Sequence, residues 1–122
     1  MGAEAVCGAE GVKGDIYWLV GEAADFRCGA ERLLTHVREA LGRNPLDGSA
    51  FVFRNRRSNR IKVLRVDAQG VWLATRRLHE GRFRWVSAHE PLASLTRRQF
   101  RWLCAGVDWQ RLGAPMPLEK SV

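Results

Sequence analysis

Three runs between residues 46 and 78, LDGSAFVF, RIKVLRVD and VWLATRRL, are dense in β-branched and aromatic residues, and only turn-forming stretches part them. Such residues favour pleated, half-buried backbone, and the turn chemistry between them folds each run back on the last. This pattern restricts the chain more than any other, because it demands an antiparallel meander. Asp47-Gly48 turns the chain into the first of these strands, NRRSN is a loop, and AQG is a tight turn. Residues 61–67 and 70–76 are thus expected to pair as a hairpin around Asp67–Gly70. Apolar residues occupy both faces of the central strands, so the sheet is expected to be covered, at least in part, on each side.

Residues 1–15 are rich in Gly and Ala with no apolar period and read as a flexible leader. IYWLV, residues 16–20, is a first strand closed by Gly21. Between Cys28 and Pro45, the residues Leu33, Leu34, Val37, Ala40 and Leu41 fall on one helical face. Gly42 offers the C-cap and Pro45 blocks continuation. EGRFRW extends the meander as a fifth strand or an irregular segment. A second helix begins at Thr96, where Gln99 gives capping-box spacing, and ends near Gly106, with Phe100, Leu103 and Cys104 on its apolar face. Arg97, Arg98 and Arg101 on its other side also fit a helix-turn-helix, but WVSAHEPLAS does not read as the preceding helix that motif needs. Residues 111–122 hold two prolines and read as a flexible tail. The expected fold class is α+β: an antiparallel sheet of four or five strands with two flanking helices, in a single domain over residues 16–110.

A chain of 122 residues suits one such domain. Its densest apolar run, IYWLV, is far short of the roughly 20 residues that span a bilayer, and no signal peptide opens it. The expectation is a cytoplasmic protein with no membrane partner. Cys7, Cys28 and Cys104 are odd in number and unpaired in spacing, which suits a reducing compartment. No Cys-x-x-Cys occurs, and His36, His79 and His89 are scattered, so no metal site is expected. Phosphate-loop, dinucleotide, nucleophile-elbow and His-Glu-x-x-His patterns are missing, and no cofactor is assigned. The acids, among them Asp47, Asp67, Glu80, Glu90 and Asp108, mostly neighbour turn signals, where carboxylates cap backbone amides. No catalytic residue is assigned. Asp25 and Arg27, just ahead of the first helix, read as structural, the acid capping amide groups there.

Charge is where the chain becomes specific. Residues 51–84 hold ten basic residues, nine of them Arg, against Asp67 and Glu80, a net +8 in a chain of net +7. All the excess charge therefore belongs to the meander and reads as a surface patch. Arg suits forked contacts to phosphate, and Asn hydrogen-bonds phosphates or base edges. The candidate nucleic-acid contacts are Arg54, Asn55, Arg56, Arg57, Asn59, Arg60, Lys62, Arg76, Arg77, Arg82 and Arg84. The plain alternative is that these charges keep strand edges soluble, though that use normally mixes signs and favours Lys. Phe51, Phe53 and Trp72 read as core. Trp85, bracketed by arginines and a loop, is the candidate for stacking on a base.

The set Asp25-Phe26-Arg27, FVFRNRR, Lys62 with Leu64, Asp67 with Gly70, Arg77-Leu78, GRFRW and GVDW resembles the TnpB accessory proteins of insertion-sequence-66 elements, over roughly residues 17–109. Ala24, Cys28, Arg76 and Val86 depart from that family's usual Pro, Lys, Lys and Pro. The resemblance implies an accessory role in DNA transposition beside a separate transposase that carries the catalytic acids. The expected function is non-catalytic DNA binding through the Arg-rich meander, with DNA and the transposase of the same element as partners. Two alternatives stay open: a protein-interaction module that docks the transposase through the same arginines, and a small metal-dependent nuclease.

Overall fold

The computed structural model of the chain describes residues 16–87 and 89–113. The expected leader and the last nine residues of the expected tail lie outside the described residues. The chain runs β1 (Tyr17–Val20), α1 (Ala30–Glu39), a 3-10 turn (Pro45–Asp47), β2 (Ala50–Arg54), β3 (Arg60–Val66), β4 (Val71–Arg77), β5 (Leu92–Leu95), α2 (Arg97–Cys104) and α3 (Trp109–Gly113). The fold is α+β, as its sequence pattern implies. Among the described residues no helix is long and apolar enough to cross a membrane.

The five strands form one sheet in the order β4-β3-β2-β1-β5. β2, β3 and β4 make the expected meander, with Phe51 opposite Leu64 and Leu64 opposite Leu73. The Asp67–Gly70 turn closes as expected: Asp67 accepts the amides of Gln69 and Gly70 at 2.9 Å each and the Trp72 indole N–H at 3.0 Å. Two features differ from the expected sheet. β1 pairs parallel to β2, Tyr17 opposite Ala50, so the sheet is mixed. A parallel pair needs a long crossover, and α1 lies in that connection. The fifth strand is Leu92–Leu95, antiparallel to β1, and not EGRFRW. Gly81, at φ +82°, turns the chain away after β4, and Phe83 drops into the core. The Phe83 amide donates to Ser58 O at 2.7 Å, the Trp85 indole to Val20 O at 2.8 Å and the Trp109 indole to Arg84 O at 2.7 Å, pinning the segment outside the sheet.

Apolar side chains cover both faces of the sheet. On one face Tyr17, Leu19, Val52, Ile61 and Val63 pack with Phe100, Leu103 and Trp109. Tyr17 and Phe100 stack with centroids 4.2 Å apart. On the other, Phe51, Phe53 and Leu64 pack with Leu33, Leu34 and Val37 of α1. Each fully buried side chain of this size contributes about 2 kcal/mol of apolar transfer free energy. α2 follows strand β5, not another helix, and its buried Phe100, Leu103 and Cys104 dock it on the sheet. Its capping box is formed in full by Thr96 and Gln99. α1 starts at Gly29 with no side-chain cap, so Asp25 is not its N-cap. α3 carries helical structure past residue 110, where the sequence pattern suggested the domain would end.

Candidate nucleic-acid interface

The loop between β2 and β3 is built by its own amides. Asn55 Oδ1 accepts the backbone N–H groups of Asn59 and Arg60, both at 3.1 Å, and Asn55 Nδ2 donates to Asn59 Oδ1 at 2.7 Å. Ser58 takes the left-handed conformation, φ +58°, that this closure requires. Arg54 ties the loop to the end of β1, donating to Gly21 O at 3.1 and 3.3 Å and to Ser58 Oγ at 3.2 Å. Arg54, Asn55 and Asn59 therefore frame the loop. What the frame displays is Arg56 and Arg57, both exposed at the tip.

Facing the loop is the segment that follows β1. Its Ala24 amide donates to Arg54 O at 2.8 Å, and Lys62 Nζ donates to Phe26 O at 2.9 Å and Cys28 O at 3.2 Å. Lys62 also lies 5.0 Å from the centroid of the Phe26 ring. Like Arg54, Lys62 is committed to the frame. Between the two walls opens a cleft of about 630 Å³, into which Arg27, Arg56, Arg57, Arg60 and Arg77 face against a single carboxylate, Asp25. Arg60 and Arg77 are direct cross-strand partners. Like charges placed so are mutually destabilising, and an anion between them relieves the repulsion.

Asp25 grips Arg27 through both carboxylate oxygens, with its shortest contact 2.8 Å to Nη2, and accepts the Arg27 backbone N–H at 3.0 Å. The Arg27 side chain, then its backbone amide, hold the Asp25 carboxyl down at about 2. Asp25 thus caps an amide of its own turn and stays ionised beside Arg27. Arg56, Arg57, Arg60 and Arg77 have no such carboxylate within ion-pair distance among the described residues.

The remaining candidates go elsewhere. β4 alternates, so Arg77 faces the cleft while Arg76 points to the opposite face and donates to Cys104 O at 2.7 Å. Arg82 and Arg84 are exposed on either side of buried Phe83 and do not line the cleft. Trp85 is half-buried, packed against the core and held by its indole N–H. Arg65, counted in the basic segment, is 1% exposed with its guanidinium 5.5 Å from the Tyr17 ring centroid, inside the core. The cleft also enlists Arg27 and Phe26, which the sequence marked only as part of a triplet ahead of a helix. Their position opposite the loop depends on the parallel β1–β2 pairing.

The sequence model of the family described as IS66 Orf2 like protein matches residues 15–114. Uncharacterized protein y4hO of Sinorhizobium fredii, strain NBRC 101917 / NGR234, is 42% identical over 93 residues, which cover 76% of this chain and 81% of that protein. Uncharacterized protein y4jC of the same strain is 33% identical over 91 residues, covering 75% and 78%. No solved structure matches.

Proposed function

This chain belongs to the IS66 Orf2-like family, and from that premise we propose that it is a non-catalytic accessory protein of DNA transposition that grips DNA phosphates in the arginine cleft. The observation that carries the reading is the convergence of five arginines from three separate segments on one carboxylate-poor cleft. The acids support the non-catalytic part. Asp25, Asp47, Asp67 and Asp108 each accept a nearby backbone amide, at Arg27, Ser49, Gln69 and Arg111. Metal-assisted cleavage requires carboxylates that converge on one point, and these are spent on separate turns.

If about five cations meet phosphates, log affinity for duplex DNA falls against log salt with a slope near −4 to −5. The double variant Arg56→Glu/Arg57→Glu weakens binding to every sequence and makes that slope shallower by about two. Fluorescence anisotropy across a salt series measures both. An unchanged slope in a variant that melts like the parent removes the DNA reading.

A second reading has an observation of its own. β4 is the outermost strand of the sheet, and Val71 and Leu73 on it are 46% and 36% exposed. An open edge accepts a partner strand by backbone pairing. The transposase of the same element is the partner this reading names. Leu73→Lys then abolishes co-purification with transposase while DNA affinity stays at the parent value.

A further inference from the structure

The cleft has a shape and a chemistry that a simple basic patch lacks. Its volume of about 630 Å³ is that of a small-ligand pocket. A duplex, whose major groove alone is about 12 Å wide, is too broad to enter it and lies across the rim, where the exposed Arg27, Arg56, Arg57, Arg60 and Arg77 still meet its phosphates. Both walls are fixed before any ligand arrives. Asn55 and Asn59 lock the loop, and the Ala24 amide ties the facing segment to β2. The inner surface is not wholly charged. Ala23 and Ala24 leave room, and Phe26 lines the cleft as a half-buried aromatic, packed against the cluster on the α1 face with Lys62 Nζ 5.0 Å from its ring centroid. An aromatic surface ringed by arginines is the arrangement that holds unpaired nucleotides, the base against the ring and the phosphates on the cations.

We infer that the cleft receives a single DNA strand, seating one or two nucleotides with a base against Phe26 and the flanking phosphates on Arg27, Arg57 and Arg77. The inference rests on the DNA-binding reading and adds strand selectivity to it. Duplex binds across the rim through phosphates alone, whereas an unpaired strand also gains the stacking contact. Ends and melted segments of DNA are the structures that offer such strands.

The test uses the full chain and three fluorescent probes: a short oligothymidylate, the same strand with abasic sites, and a duplex of equal length. With the parent protein, removing the bases weakens single-strand binding about tenfold or more, as loss of a stacked base does. Phe26→Leu keeps an apolar side chain in the same place. It weakens intact oligothymidylate by a similar factor and leaves the abasic strand and the duplex unchanged. Equal binding of intact and abasic strands overturns the inference. So does a Phe26→Leu variant that melts like the parent and loses affinity for all three probes alike, since the ring then makes no base-specific contact. If Phe26→Leu fails to melt cooperatively, the abasic comparison on the parent protein decides alone. No binding to any probe is a failure of the DNA reading itself, whereas binding insensitive to bases leaves that reading standing and removes only this one.

Discussion

Asp25 shows how much one side chain decides at the mouth of the cleft. It keeps Arg27 in place, and the pair is well exposed, 51% and 91% for the two side chains. Because its carboxyl is lowered from 3.8 to about 2 in the fold, its contribution to stability is fully present above about pH 4. It is lost as pH falls through 2. Asp67 is lowered too, chiefly by the amides of Gln69 and Gly70, and adds loss in the same direction. The melting temperature of the parent therefore exceeds that of Asp25→Asn at pH 7, and the gap narrows below pH 4 and closes below pH 2. Solvent screening keeps the gap small, and a calorimetric pH series reads it. Gly21 has no substitute. A Cβ there is driven into the carbonyl oxygen of Glu90, and Gly21 also hydrogen-bonds Pro91 O and Arg54. Gly21→Ala lowers stability by about 1–3 kcal/mol in urea denaturation.

At the scale of elements, local chemistry and tertiary context divide cleanly. The β3–β4 hairpin and α2 are specified by adjacent residues, the first by the Asp67 turn and the second by Thr96 and Gln99. Thr96→Ala removes one half of the capping box and costs about 1 kcal/mol. α2 lines no part of the cleft, so DNA affinity is unchanged in that variant. α1 has no comparable cap and is held by Leu33, Leu34 and Val37 against the sheet. The alternation of β4 separates Arg76 from Arg77, two neighbours in sequence that serve opposite faces. A charge count over the meander treats them as equivalent, and only strand phase and sheet packing tell them apart.

The described residues form one sheet with a hydrophobic cluster on each side. The clusters share β1, β2 and β3, so neither survives without the other. Phe53→Ala on one face and Phe100→Ala on the other each cost about 3–5 kcal/mol. That is a large share of the roughly 5–15 kcal/mol that holds such a domain. Each variant shifts the same single unfolding transition, seen alike by near-ultraviolet and far-ultraviolet circular dichroism. Two separate transitions would mean that the faces fold independently.

The antiparallel meander, both main helices, the capping box and the concentration of arginine are legible in the sequence, because each depends on residues close together along the chain. The resemblance to the insertion-sequence-66 accessory proteins rests on the same short motifs, and residues 15–114 bear it out. The parallel place of β1, the choice of Leu92–Leu95 as the fifth strand and the roles of individual arginines required the tertiary structure. Arg54 and Lys62 turn inward to carbonyls of a segment more than thirty residues away, and Arg65 enters the core. Arg27 joins Arg56, Arg57, Arg60 and Arg77, which lie far from it along the chain. A guanidinium reads identically in sequence whether it meets solvent, a carbonyl or a ring. What it does is decided by which backbone the packed sheet brings beside it.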